Sequence, residues 1–133
     1  MDVKLNKQVL AVTSNKTGEF ASVTGALAEA GINLTGLCAW GENEKAYFAL
    51  LTQNNAKAME ALKKKGIEVS EEAVVTILLD DKAGSAAAIA LKLKNAGVSL
   101  DYVYGTSCGC RETEAMLILK SKDNAKILAA LNE

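Results

Sequence analysis

The chain has 133 residues, 50% of them hydrophobic and 23% charged, with a formal net charge of −1 and no histidine. That composition supports a folded core of one or two small domains rather than a disordered chain. It excludes a broad basic footprint for nucleic acid, and it removes the commonest general base and metal ligand; no apolar run is long enough to cross a bilayer.

Residues 1–8, Met-Asp-Val-Lys-Leu-Asn-Lys-Gln, lack the apolar middle of a secretion signal. Three cysteines, an odd number, fit a reducing compartment better than a disulfide framework, so a cytoplasmic location is expected. Residues 9–14 form a β-prone run that ends in the polar turn Asn15-Lys16-Thr17-Gly18. The turn opens a helix with apolar residues Phe20, Val23 and Leu27 at three- and four-residue steps, and Gly31 ends it. A strand over residues 34–40, a loop holding Glu42 and Glu44, and a second strand over residues 46–52 follow. A short helix then carries Ala56, Met59 and Leu62; Lys63, Lys64 and Lys65 at its end suit the helix dipole. Gly66 breaks that helix, and residues 67–69 begin a last short strand.

The same order of signals then recurs. Asp81-Lys82-Ala83-Gly84 lies 66 positions after Asn15-Lys16-Thr17-Gly18, and Ala96-Gly97-Val98-Ser99-Leu100 lies 66 positions after Ala30-Gly31-Ile32-Asn33-Leu34. Further on the offset is 69, with Asp123-Asn124-Ala125 matching Asn54-Asn55-Ala56. The second copy has strands over residues 74–79, 100–104 and 115–120, a helix with Ile89, Leu93 and Ala96, and a helix with Ala125, Leu128 and Leu131. It stops at Glu133 without room for the last strand. The expected architecture is α+β: tandem ferredoxin-like βαββαβ repeats, residues 1–72 and 73–133, each an antiparallel sheet with its helices on one face. The missing strand leaves a sheet edge open, which proteins usually cover; the N-terminal stretch around residues 3–7, or another chain, is expected there.

Asn15-Lys16-Thr17-Gly18-Glu19-Phe20, then Val23, Leu27 and Ala30-Gly31-Ile32-Asn33-Leu34, resembles the signature of ACT domains, and the similarity extends over both repeats. The chain looks most like small stand-alone proteins made of two such domains. The resemblance implies regulation: ACT domains pair, bind amino acids at the interface, and bias an attached or partner enzyme of amino-acid metabolism. It places the ligand beside the first strand–helix turn, touching the start of the second strand of the partner domain. Asn15 then matches the ligand-holding asparagine, Thr13 another polar contact, and Asn33 the asparagine that begins the second strand, with Leu79, Asp81 and Ser99 at these positions in the second repeat. The family's turn usually carries proline before the glycine; this chain has none, and Thr17 and Ala83 stand there. Asp81 would repel a ligand carboxylate, which favours the first repeat.

Elementary chemistry leads to the same turn. A helix N-terminus presents free N–H groups to an anion, Gly18 allows close approach, and asparagine offers a donor and an acceptor for an ammonium and a carboxylate. The candidate ligand-binding residues are Thr13, Asn15, Lys16, Thr17, Gly18, Asn33 and Leu34, with Asp81, Gly84 and Ser99. The competing reading makes Asn15 a plain helix cap. Cys108-Gly109-Cys110, with Cys38 taken as strand core, admits a metal or redox role, although three thiols at one-residue spacing are poor for structural zinc. Trp40, Tyr102 and Tyr104 make a poor RNA-stacking sheet, since Tyr102 and Tyr104 fall on a predicted edge strand and aromatic content is only 5%. The expectation is a non-catalytic amino-acid-binding regulator without cofactor, a homodimer acting on a metabolic enzyme, with no nucleic-acid or membrane partner. A protein-interaction module without a small ligand is the alternative.

Overall fold

The computed structural model describes residues 1–107 and 114–132. Its elements run β1 (Asp2–Ser14), α1 (Glu19–Glu29), β2 (Leu34–Glu42), β3 (Lys45–Thr52), α2 (Asn55–Lys64), β4 (Glu68–Asp80), α3 (Ser85–Asn95), β5 (Tyr102–Ser107), β6 (Glu114–Lys120) and α4 (Asn124–Leu131). Contacts divide the chain into a first unit, Lys7–Glu72, and a second unit, Met1–Asn6 with Ala73–Glu133.

In the first unit the strand order is β2-β3-β1-β4, and β3 pairs antiparallel with both β1 and β2. Alternation decides which side chains meet the helices. Val9 and Ala11 of β1 and Ala46, Phe48 and Leu50 of β3 join Val23, Ala26 and Leu27 of α1 and Ala58 and Leu62 of α2 in one buried cluster. Gly31, at φ 71, turns the chain out of α1, and the Ile32 N–H donates back to the Leu27 carbonyl at 2.9 Å. Asn54 caps α2 by accepting from the Lys57 N–H at 3.1 Å.

In the second unit the order is β1-β4-β6-β5, with β6 antiparallel to β4 and β5. Val75, Ile77 and Leu79 of β4 and Leu119 of β6 pack with Ile89 and Leu93 of α3 and Ile127 and Leu131 of α4. The edge that the second repeat leaves open is taken by residues 2–6, as expected: Val3 packs on this core, and the Asn6 amide donates to the Thr76 hydroxyl at 3.1 Å. The hydroxyl of Ser121 donates to the Ser99 carbonyl at 2.6 Å and accepts from the Asp123 N–H at 2.8 Å, which ties the entry of β5 to the entry of α4.

Three sequence expectations need correction. The polar residues after Val69 do not interrupt the chain: β4 is one strand of 13 residues, because Glu71 is held by the Asn55 amide at 3.0 Å and lies 3.9 Å from the Lys7 ammonium. Phe20, assigned to the core face, is 56% exposed, although its ring stacks on Phe48 at 6.4 Å. Cys38 is half-buried and pairs with Ala49, out of step with the Phe48 and Leu50 side chains that build the core. Cys108 and Cys110 lie outside the described residues.

Deleting residues 2–6 should lower the melting temperature and promote aggregation on heating, because β4 loses a neighbour and exposes unpaired backbone groups; calorimetry with light scattering measures both. In the first core, Leu27→Ala should cost about 2–5 kcal/mol by urea unfolding, as expected for a buried leucine.

Candidate functional site

Where β1 ends, the backbone tightens before the first helix. The Lys16 N–H donates to the Ser14 carbonyl at 3.1 Å, and the Glu19 N–H to the Lys16 carbonyl at 3.4 Å. Gly18 at φ 94 then occupies the cap position of α1, a left-handed conformation that glycine adopts at little cost. No side chain caps α1, so beyond the Glu19 N–H its first-turn N–H groups carry the positive end of the helix dipole without a side-chain acceptor. Asn15, Lys16, Thr17 and Gly18 are all exposed, and Thr13 is half-buried with its hydroxyl donating to the Ser14 carbonyl at 2.9 Å.

Asn15 is not a helix cap. Its N–H donates to the Glu44 carbonyl at 2.8 Å, and its amide reaches the Asn43 carbonyl at 3.4 Å. Both acceptors belong to the hairpin between β2 and β3, where Asn43 takes φ 58. The amide lies over Gly41, where a Cβ would come within 2.5 Å of Asn15 Nδ2. The turn and the hairpin tip therefore form one polar corner, and the missing side chain of Gly41 makes room for it.

Asn33 and Leu34 lie elsewhere in the unit. The 11-residue α1 separates them from the turn by about 16 Å, and β2 runs from Leu34 to its far end beside the turn. One small ligand cannot touch both Asn15 and Asn33 of the same unit. Asn33 is exposed at the entry to β2, and Leu34 packs at the margin of the first core.

The turn of the second unit repeats the plan. Gly84 at φ 91 caps α3, again without a side-chain cap, and the Ser85 N–H donates to the Lys82 carbonyl at 3.2 Å. Asp81 is exposed, while Asp80 pairs with Lys82 at 3.7 Å. Ser99 donates its N–H to Asp123 at 3.4 Å, which places it at the entry of α4 rather than at the turn. A groove of about 400 Å³ runs along this turn, with Leu79, Ala83, Ala88, Ile89 and Met1 as apolar walls and Lys82, Lys92 and Ser85 as polar ones. Sequence reasoning placed Ala83 and Gly84 in this turn but missed Met1 and Ala88, the latter signalled only by its position one helical turn beyond the glycine.

A family model for an ACT domain pair matches residues 5–130. The chain belongs to the ACT domain pair family. Among solved structures, a protein of Bacteroides thetaiotaomicron is similar at TM-score 0.88 and 25% identity, over 98% of this chain and 88% of that one. The ligand-free regulatory subunit of aspartate kinase from Thermus thermophilus is similar at TM-score 0.67 and 21% identity, over 98% and 94% of the two chains. The corresponding subunit from Thermus flavus is similar at TM-score 0.63 and 20% identity, over 99% and 95%. No curated protein matches in sequence.

Gly41→Ala should displace the Asn15 side chain from the Asn43 carbonyl. The Asn15 side-chain amide signals in a ¹H–¹⁵N spectrum should move, whereas Gly25→Ala, at a helical site with open space around it, should leave them in place.

Proposed function

We propose that this ACT domain pair is a non-catalytic regulatory protein that binds an amino acid at the Asn15–Gly18 turn, as a cytoplasmic homodimer that biases a metabolic enzyme. The observation that carries the reading is the pairing of an uncapped helix start with an asparagine whose side chain is spent on the hairpin rather than on the helix. An α-carboxylate fits the uncapped N–H groups of α1, and the Asn15 carbonyl oxygen suits an ammonium.

Within one unit the remaining candidates, Asn33 and Leu34, are too distant to share that ligand. The reading therefore assigns them to a ligand held by the turn of another ACT domain, in keeping with the domain pairing that the family resemblance implies. The first turn is preferred over the second because Asp81 replaces Asn15 there. The resemblance to regulatory subunits of aspartate kinase supports the fold, and regulation of an enzyme is proposed by analogy.

A panel of amino acids in a thermal shift assay tests the reading. A few of them should raise the melting temperature, because a ligand that binds only the native state stabilises it; a flat response across the panel would favour a protein-interaction module. Asn15→Ala should abolish the shift while lowering stability by less than about 1 kcal/mol, the usual cost of losing a helix cap, since Asn15 caps no helix.

A further inference from the structure

β2 is the edge strand of the first unit. Its residues Leu37, Ala39 and Gly41 pair with the core residues Leu50, Phe48 and Ala46, so they lie on the helix side of the sheet. All three are nevertheless exposed, Leu37 to 38%.

Phe20 borders this strip from the helix. Its Cα–Cβ bond leans back towards the start of α1, as in any α-helix. Its exposed ring stacks on Phe48, the cross-strand neighbour of Ala39. Thr24, one turn further on, turns its hydroxyl back to donate to the Phe20 carbonyl at 2.8 Å. Phe20, Leu37 and Ala39 thus make an apolar shelf with no charged group among them. The shelf ends at Gly41, about 7 Å along the strand from Ala39, and the Asn15 amide lies over that glycine.

The second unit lacks the shelf. Ala86 stands 66 residues after Phe20, Gly105 stands 66 after Ala39, and Leu117 stands 69 after Phe48. A Cβ added at Gly105 would come within 2.5 Å of Leu117 Cδ2, so that unit's own leucine covers the position. The open shelf and the asparagine turn occur together, in the first unit.

We propose that the shelf receives the side chain of the amino acid bound at the Asn15–Gly18 turn, and that this ligand is apolar, either aromatic or long aliphatic. The inference rests on the amino-acid reading above and adds the class of ligand. Phe20 joins the two parts of the site, since its backbone belongs to the first turn of α1 and its ring to the shelf. An apolar side chain laid there removes Phe20, Leu37 and Ala39 from water. A carboxylate or hydroxyl would give up water with no partner on the shelf, and an ammonium would find only the open face of the Phe20 ring.

Calorimetric titration of the full chain tests the proposal, with L-phenylalanine, L-leucine and L-methionine set against L-lysine, L-aspartate, L-threonine and L-alanine. At least one of the first three should bind about tenfold or more tightly than any of the other four. Phe20→Ala should weaken that ligand by about tenfold, and Phe20→Leu should keep most of the affinity. Ala39→Gln, at an exposed position outside the core, should weaken it as well and guards against a folding defect in Phe20→Ala. If none of the seven binds, the amino-acid reading falls and the proposal with it. Tightest binding by lysine, aspartate, threonine or alanine would overturn the apolar class while sparing that reading. An apolar ligand whose affinity neither Phe20→Ala nor Ala39→Gln changes would overturn the shelf.

Discussion

Each unit depends on one constraint: alternate residues of its strands must be sealed from water by two helices laid on the same side of the sheet. Val9, Ala11, Phe48 and Leu50 in the first unit are covered by α1 and α2, and Val75, Ile77, Leu79 and Leu119 in the second by α3 and α4. A chain leaving the end of a central strand must therefore reverse at once into a helix. That reversal is made where Gly18 and Gly84 take left-handed φ angles. The demands of packing create the turn, and the turn leaves a helix start without a side-chain cap. The proposed ligand site follows from how the core is closed.

The two turns have since drifted apart in their surroundings. At the first, Asn15 is braced against the β2–β3 hairpin, and the exposed ring of Phe20 stands at the helix start. At the second, alanine and leucine line a groove with lysines at its margin. The same backbone device thus serves a polar corner in one repeat and an apolar slot in the other. The junctions into the second helices differ as well. Asn54 caps α2 with its side chain, whereas the matching Asp123 instead accepts from the Ser99 N–H.

Much of this was legible in the chain itself because repetition isolates what folding requires. Gly31 and Gly97 recur at the same register and take the same φ of 71, and the shortfall of one strand in the second copy pointed to the N-terminal segment that fills it. What escaped were features set by residues distant in sequence. The short strand begun at residues 67–69 and the strand over 74–79 read as separate because the partners of Glu71 between them, Asn55 and Lys7, lie on other elements. Phe20 has the right helical spacing for the core, but it sits in the first turn, over the rim of the sheet. Asn15 has the local pattern of a cap, and only the hairpin 28 residues away shows that its amide is engaged elsewhere.

The position of Gly41 has an optical consequence. The next residue towards the N-terminus is Trp40, the sole tryptophan of the chain, whose ring stacks on Tyr47 at 5.4 Å. Any solute that draws the Asn15 amide away from the hairpin alters packing one residue from that indole. Alternation puts that indole on the sheet face opposite the Asn15 amide, so its emission senses a change at the first turn only through the β2 backbone.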